Sequence, residues 1–470
     1  MDLRNYDFGA NLHWFEQGGQ RIVLDVNSGS LHSFDRPAWE ALQRLSDCGG
    51  GWEQAKQWIA AKYGAVEAEE VFLELQQLAE AESLFTEDPG FVAPAYPQDT
   101  VIKAICLHVA HDCNLRCEYC FAGTGDFGGE RSLMSSEVGR QAIRFILEKS
   151  RHRRHCEVDF FGGEPLVNFG VVKELVEFGR QEAAKVGKTI KFTLTTNAVL
   201  LNQQVRDFLE ANDISVVLSL DGRPEVNDRM RPYADGSGSY KEVSGNIKEF
   251  VSARQNPSPY AVGTYYYVRG TYTHNNLDFD QDVLHMADIG CKQVSVEPVV
   301  AAPQDPYAFQ EGDLPILADS YERLADAYLA RRRTPQEFDF FHFNLELGKG
   351  PCLPKRLSGC GAGYEYLAIS PDGDLYPCHQ FVGKEEFKVG DVFSGKVDTA
   401  MAEKFRSAHV YNKPECLKCW ARFFCSGGCH AAAYNFNADI LTPYQMGCQL
   451  QRKRLECAMY IKVKEAAAVG

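Results

Sequence analysis

Cysteine is the residue type that most constrains how this chain of 470 residues can fold. Its 16 cysteines include a C-x3-C-x2-C triplet and a C-x2-C-x5-C-x3-C run with three further cysteines around it. The triplet consists of Cys113, Cys117 and Cys120. The second group consists of Cys360, Cys378, Cys416, Cys419, Cys425, Cys429 and Cys448. Paired C-x2-C spacings serve zinc as well as iron–sulfur clusters, but a triplet can hold three irons of a [4Fe–4S] cube, so the sequence favours iron–sulfur.

The charge of the chain argues against one class of partner. Its net charge is −15 at pH 7, which disfavours binding to a nucleic acid backbone. Residues 1–97 hold sixteen acidic and six basic side chains, so two-thirds of the net charge lies in the first fifth of the chain. This acidity indicates either a solvated helix face or a surface for a basic peptide.

Composition also bears on compartment and size. No apolar run approaches the roughly 20 residues of a membrane span, and the N-terminus lacks the basic flank and apolar stretch of a secretory signal. Many cysteines without export point to metal sites in a reducing cytosol rather than to disulfides. We therefore expect a cytoplasmic protein with no membrane partner, and two or three domains.

The first 88 residues predict a small folded module. Apolar runs at 21–26 and 30–34 flank a turn signal and predict a β-hairpin. Asp35 is a candidate N-cap with Pro37 in the first helical turn, and helical patterns follow near 52–62 and 67–84. Residues 89–99 are rich in proline and predict a linker.

Strand and helix patterns alternate over residues 100–310. Six strands are predicted, at 104–109, 157–161, 191–195, 215–220, 262–268 and 293–297. Repeated βα units imply a parallel sheet. A helical bridge at 311–350, a cysteine-rich region at 351–450 and a C-terminal helix at 451–470 complete the predicted organisation.

Polar residues lie where the predicted strands end. Gly162-Gly163-Glu164-Pro165 follows the second strand, where glycines let the backbone approach a ligand and the carboxylate can accept from an ammonium group. Asn197 follows the third strand, and Ser219 and Asp221 close the fourth. Since the cysteine triplet follows the first strand, we expect all of these groups at one end of the sheet.

The triplet, with Tyr119 directly before its third cysteine, resembles the signature of radical S-adenosylmethionine (SAM) enzymes, and Gly162-Gly163-Glu164-Pro165 is similar to their GGEP motif. The resemblance implies an α/β fold with a partial (β/α)6 TIM barrel over 100–310. It implies a [4Fe–4S] cluster whose open iron chelates SAM, so that one electron releases methionine and a 5′-deoxyadenosyl radical. The SAM contacts that it implies are Tyr119, Gly162, Gly163, Glu164, Pro165, Asn197, Ser219, Asp221 and Arg231, with Arg229 as the alternative to Arg231.

The second cysteine group resembles the SPASM extension, which carries two auxiliary [4Fe–4S] clusters. The resemblance assigns Cys416, Cys419, Cys425 and Cys448 to an outer cluster. It assigns Cys360, Cys378 and Cys429 to an inner cluster. The fourth inner position is filled either by Cys352 or by a substrate cysteine, and we favour the open position because metal coordination would deprotonate a substrate thiol.

Nearly the whole chain, including the stretch 121–134, looks like a thioether-forming maturase of the "six cysteines in forty-five residues" (SCIFF) and ranthipeptide type. The N-terminal module then resembles a winged-helix-like recognition element for a leader peptide, although a folded cap without a ligand is the alternative. The implied partners are a Cys-rich precursor peptide and an electron donor of the flavodoxin or ferredoxin type. Two other functions remain open: a sulfatase-maturating type that forms formylglycine, and a non-catalytic metal-binding peptide carrier.

Overall fold

A computed structural model describes residues 1–88, 101–254, 265–347 and 357–468. Its N-terminal part is a three-stranded antiparallel sheet in the order β1-β2-β3, followed by three helices. The elements are α1 (Phe8–Asn11), β1 (Leu12–Gln17), β2 (Gln20–Asp25), β3 (Leu31–Phe34), α2 (Arg36–Asp47), α3 (Trp52–Tyr63) and α4 (Ala65–Glu80). The predicted hairpin and the helices are confirmed, whereas β1 is an additional strand, and the predicted linker lies outside the described residues.

The start of α2 follows from its sequence. The Asp35 side chain accepts a hydrogen bond from the Ala38 amide at 2.9 Å, and Pro37 lies in the first turn. Both features favour a helix N-terminus because they satisfy or remove a free amide. The three helices bury their apolar faces in a core formed by Trp39, Leu42, Leu45, Ile59, Phe72 and Leu75.

Six parallel strands form the centre of a larger sheet in the order β4-β6-β7-β8-β9-β10, which confirms the α/β partial barrel. The elements are β4 (Ala104–His111), β5 (Ser132–Leu133), α5 (Ser136–Lys149), β6 (His155–Gly162), α6 (Phe169–Lys185), β7 (Thr189–Thr196), α7 (Gln203–Ala211), β8 (Ser215–Ser219), α8 (Pro224–Met230), α9 (Tyr240–Ala253), β9 (Tyr266–Tyr272), α10 (Phe279–Asp288), β10 (Gln293–Pro298), α11 (Asp313–Arg331) and β11 (Asp339–Phe340). One face of the strands is buried against the outer helices, and the other faces the barrel interior.

Two predictions in this region are wrong in their bounds. The fifth strand continues beyond 268 to Tyr272, because Arg269 pairs with β8 and Thr271 with β10. The helical bridge at 311–350 ends its main helix at Arg331, and β11 then adds a parallel strand beside β10. Residues 262–264 and 348–350 lie outside the described residues.

The cysteine-rich region is joined directly to the barrel sheet. β12 pairs in parallel with β4, at the edge of the barrel opposite to β11. The elements are β12 (Tyr366–Ile369), β13 (Asp374–Tyr376), β14 (Gly390–Asp391), α12 (Thr399–Ser407), α13 (Pro414–Leu417), α14 (Arg422–Cys425), α15 (His430–Asn437) and α16 (Gln445–Ala467). The last helix begins at Gln445, six residues before the predicted start at 451. Cys352, a possible ligand of the inner cluster, lies outside the described residues.

Helix α16 connects the three regions. It packs against α11 and against all three strands of the N-terminal sheet. The cysteine-rich region also contacts the N-terminal part directly: the His13 ring stacks on Trp420 with 3.7 Å between ring centroids, and Arg422 donates to the Ala10 carbonyl oxygen at 2.8 Å.

Among the described helices, none combines the length and the apolar composition needed to cross a membrane.

Candidate active site and cluster-binding cysteines

The cysteine triplet lies in the loop that follows β4. Backbone amides of Arg116 and Glu118 donate to the carbonyl oxygens of Pro232 and Met230, which straps this loop to the end of α8. Burial raises the pKa of Cys113 to about 12, and the other two thiols of the triplet add to this effect. The three thiols thus lie in one loop at the carboxyl end of the first barrel strand, and ligation would have to remove their protons.

The Gly162-Gly163-Glu164-Pro165 segment packs backbone to backbone against the cysteine loop. The Glu164 amide donates to the Asp112 carbonyl oxygen at 2.9 Å. A Cβ atom on Gly163 would lie 2.3 Å from that same oxygen, so only glycine fits at this position. This close approach explains why the sequence has glycine here.

Glu164 is a fully buried carboxylate behind the triplet. It accepts hydrogen bonds from the amides of Leu166 and Asn197 at 3.0 and 2.7 Å and from the Thr196 hydroxyl at 2.8 Å. Burial nevertheless raises its pKa to about 7, because desolvation disfavours the charged form. An ammonium group placed against this carboxylate would favour its ionised form.

Tyr119, Asp221 and Arg231 form one hydrogen-bonded group on the other side of the triplet. The Tyr119 hydroxyl donates to Asp221 at 2.6 Å and accepts from the Arg231 guanidinium at 2.9 Å. Burial raises the pKa of Cys117 to about 11, and the charge of Arg231 opposes that shift. Arg231 is itself buried, and its Nε atom has no hydrogen-bond partner among the described atoms. Its positive charge and free donor fit an anionic cofactor next to the thiols.

The remaining predicted SAM contacts are distributed around the same strand ends. The side-chain Nδ2 atom of Asn197 donates to the Asn114 side-chain oxygen at 2.7 Å and lies 3.7 Å from the Cys113 sulfur. Ser219 ends β8 and is half-buried. Arg229 is exposed and donates instead to the Asn275 carbonyl oxygen, so Arg231 is the arginine directed toward the triplet.

The other seven cysteines separate into two neighbouring sets. Burial raises the pKa of Cys378, and the thiols of Cys429 and Cys360 add to that shift. Burial likewise raises the pKa of Cys448 to about 12, with contributions from Cys425, Cys416 and Cys419. These sets have the same membership as the inner and outer groups expected from the sequence.

One buried cation between the two sets was missed by the sequence reasoning. Lys413 has no exposed surface and donates to the Gly427 carbonyl oxygen at 2.7 Å. Burial lowers the pKa of Lys413, and the thiols of Cys416, Cys425, Cys360 and Cys429, which come from both sets, oppose that shift. Nothing in the sequence around Lys413 indicates that this lysine is buried, so its burial is seen only in the folded structure.

The barrel interior adds charged groups that the sequence reasoning also missed. Asp159 on β6 has a buried Oδ1 atom without a hydrogen-bond partner among the described atoms. Burial raises its pKa to about 7, and Arg269 on β9 opposes that shift. Val158 and Phe160 of the same strand lie in the core shared with the outer helices, so Asp159, which lies between them, faces the barrel interior.

Two family models match the chain. A "4Fe-4S single cluster domain" matches residues 103–243, which include the triplet. The SPASM model, described as an iron-sulfur cluster-binding domain, matches residues 360–420 and favours iron–sulfur over the zinc alternative.

Relatives are distant in sequence. An uncharacterised protein of Methanocaldococcus jannaschii is 27% identical over 197 residues, and the match spans 42% of this chain but only 62% of that relative. The radical SAM cyclopropyl synthase TigE of Paramaledivibacter caminithermalis is 23% identical, over 75% of this chain and 72% of its own length. A cysteine-type anaerobic sulfatase-maturating enzyme of Clostridium novyi is 24% identical, over 68% of this chain and 85% of its own length.

Solved structures share the fold. The structure of anSMEcpe with bound AdoMet superimposes with a TM-score of 0.64 at 20% identity, covering 78% of this chain and 95% of that one. Streptococcus suis SuiB bound to S-adenosylmethionine gives a TM-score of 0.53 at 17% identity, covering 93% and 99%. The fold and the two family models define an iron–sulfur protein with a partial barrel and a C-terminal cluster-binding domain. Within that class, the chain is a radical SAM protein with a SPASM domain, and its cofactors include [4Fe–4S] clusters.

Proposed function

We propose that this chain is a maturase that joins a cysteine sulfur of a ribosomally made peptide to a carbon of an acceptor residue. The observation that carries the proposal is the spacing of ten cysteines, three directly after the first barrel strand and seven in the cysteine-rich region, which the resemblance divides into sets of three and four. A set of three leaves one iron of a cube open, whereas a set of four completes it. The sets therefore suit one SAM-binding cluster, one auxiliary cluster with an available position and one closed auxiliary cluster.

The proposed ligands follow these sets. The SAM-binding cluster is held by Cys113, Cys117 and Cys120. The inner auxiliary cluster is held by Cys360, Cys378 and Cys429, and the outer one by Cys416, Cys419, Cys425 and Cys448. The fourth inner position is left to Cys352 or to a substrate cysteine, and the exposure of Cys360 and Cys429 supports access by a substrate.

Residues of the barrel are proposed to hold SAM beside the triplet. When bound, SAM and its cluster supply the one-electron cleavage that starts hydrogen abstraction from the substrate. Buried Glu164 provides a carboxylate for the methionine ammonium, and Arg231 provides a free N–H donor and a positive charge for an anionic group. Gly162, Gly163 and Pro165 let the backbone approach, and Tyr119, Asn197, Ser219 and Asp221 line the same strand ends. These groups orient the cofactor, which is how a protein contributes most to radical chemistry.

The N-terminal module is proposed to bind a leader peptide. Strand β3 pairs with β2 on one side only within the described residues, so its other edge is available for an added strand. The acidic balance of residues 1–97 suits a basic peptide. SuiB, whose fold likeness covers 93% of this chain, has also been solved bound to precursor peptide SuiA.

A formylglycine-forming activity is the second candidate, because the Clostridium novyi relative is a sulfatase-maturating enzyme. The likeness to anSMEcpe covers 78% of this chain, while that to SuiB covers 93%. The likeness to SuiB includes more of the chain, whereas the TM-score is higher for anSMEcpe, at 0.64 against 0.53, so the peptide product has to separate the two candidates. A cytoplasmic electron donor of the flavodoxin or ferredoxin type would complete either reaction.

Mass spectrometry of a treated peptide tests the proposal. A candidate Cys-rich leader–core peptide is incubated anaerobically with reconstituted protein, SAM and reductant, and free thiols are then alkylated. We expect loss of two hydrogens and of one alkylatable thiol for each crosslink. The same peptide without its leader is the matched control and should react far more slowly.

Other outcomes separate the candidates. An aldehyde at a serine or cysteine would replace the thioether proposal with the formylglycine one. A wild-type protein that binds zinc, or that holds clusters but never cleaves SAM, would leave the non-catalytic carrier. Three cubes require about twelve irons per chain, which elemental analysis measures directly.

A further inference from the structure

Lys413 is a buried cation without a carboxylate. Four lysine or arginine side chains are buried in the part of the chain that the structure describes: Arg231, Arg254, Lys413 and Arg422. The three arginines each have a carboxylate oxygen within 4.0 Å, from Asp221, Glu210 and Asp88 respectively. Among the described residues, Lys413 has no such ion pair, and its Nζ atom donates only to the Gly427 carbonyl oxygen.

The surroundings of Lys413 are otherwise apolar or weakly polar. A Cβ built on Gly427 would lie 3.4 Å from the Lys413 Nζ atom and 3.6 Å from the Val410 side chain. The neighbouring His409 and His430 both have lowered pKa values, for which burial is the main cause, so neither supplies a negative charge. An ammonium buried in this way is strongly destabilising unless an anion compensates it.

The hydrogen bond of Lys413 to Gly427 places its ammonium group against the loop between Cys425 of the outer set and Cys429 of the inner set. Cysteines of both sets become thiolates when they ligate a cluster. Clusters bound by these thiolates are anionic, and each gains one further negative charge when it is reduced. The lysine would therefore favour the reduced state of either cluster, since cluster potentials depend on nearby charge and hydrogen bonds.

We infer that Lys413 is an electrostatic bridge between the two auxiliary clusters, compensating both and raising both reduction potentials. The inference rests on the cluster assignment of the proposed function. Lys413 is a positioning residue, since it donates to a backbone carbonyl rather than to a cluster ligand. Its positive charge would lower the electrostatic cost of adding one electron, supplied by the external donor, to either cluster.

The test compares reduction potentials in a background that contains only the auxiliary clusters. Cys113, Cys117 and Cys120 are replaced by alanine, and EPR-monitored redox titration follows the remaining signals. Lys413→Met removes the charge, and Lys413→Gln removes it while keeping a donor for Gly427. The matched control is Lys418→Met, which removes an exposed lysine from the same cysteine stretch.

We expect both neutral Lys413 variants to shift both auxiliary midpoints to more negative potentials, while Lys418→Met leaves them near the wild-type values. Fully loaded Lys413 variants with unchanged midpoints would overturn the inference but not the proposed function. If neither variant assembles clusters, thermal melting of the metal-free proteins decides. A higher Tm for Lys413→Met than for wild type supports an uncompensated buried cation, and an equal or lower Tm refutes it. Zinc in place of clusters in the wild type would overturn both proposals together.

Discussion

Replacing Gly163 by alanine should displace the loop that carries the cysteine triplet. The new Cβ would lie 2.3 Å from the Asp112 carbonyl oxygen and 3.2 Å from the Cys113 Cβ, whereas ordinary contact begins at 3.4 Å. The two backbone segments must therefore separate by about 1.1 Å, the difference between 2.3 and 3.4 Å. Overpacking of this kind destabilises a folded protein by about 1–3 kcal/mol.

The functional effect should exceed the loss of stability. A displacement of about 1 Å in a reacting site can reduce the rate by roughly 100-fold. We therefore expect Gly163→Ala to retain its auxiliary clusters but to lose about 100-fold in the rate of SAM cleavage, measured by chromatography of the cleavage products. Gly170→Ala is the matched control, because its Cβ would meet no atom within 4 Å.

One outcome would refute the steric reasoning. If Gly163→Ala contained the wild-type amount of iron and cleaved SAM at the wild-type rate, the close approach to Asp112 would have no functional meaning. A fall in activity that Gly170→Ala shared would also contradict it, because that helix position has open space.

Three further substitutions test other parts of the site. Cys117→Ala should abolish SAM cleavage, and turnover at the wild-type rate would refute the triplet assignment. Arg231→Met should destabilise the protein by about 3–5 kcal/mol in urea unfolding, since it leaves Asp221 buried without its cation, and a loss below about 1 kcal/mol would contradict this. Asp159→Asn tests the barrel interior: burial raises the pKa of Asp159 to about 7, so the folded protein keeps a proton that the unfolded chain releases at lower pH. The aspartate therefore lowers stability as pH rises from about 4 to 7, and the variant should be more stable than wild type at pH 8 but not at pH 4.

Local sequence was sufficient for the parallel sheet and for its polar strand ends, whereas the partial barrel was implied by the family resemblance. Parallel strands of a barrel are apolar runs that alternate with helical patterns, and Glu164 and Asn197 directly follow such runs. The predicted fifth strand ends too early in the chain because Arg269 and Gly270 resemble residues at the end of a strand. Both are nevertheless paired with residues of β10. Strand β1 was missed because its Leu12–Gln17 sequence mixes polar and aromatic residues without clear alternation.

Contacts between distant parts of the chain could not be predicted in the same way. The Gln17 amide lies 3.6 Å from the Cys457 sulfur, although 440 positions separate them. The compensation of Arg422 by Asp88 and the absence of a carboxylate beside Lys413 depend on similarly distant packing. The sequence alone does not show whether a charged side chain is buried, so its role can be assigned only from the residues that surround it in the fold.

The distribution of positive charge opposes the overall charge of the chain. The protein carries a net charge of −15, yet a buried cation lies beside each cysteine set. Burial raises the pKa of Cys117, and the charge of Arg231 opposes that shift. Burial lowers the pKa of Lys413, and thiols of both auxiliary sets oppose that shift. Anionic clusters would find local compensation there that the surface does not offer, while the metal-free protein keeps Lys413 without a carboxylate partner among the described residues. Because the loaded state resolves that imbalance, cluster binding and the stability of the cysteine-rich region should be thermodynamically linked.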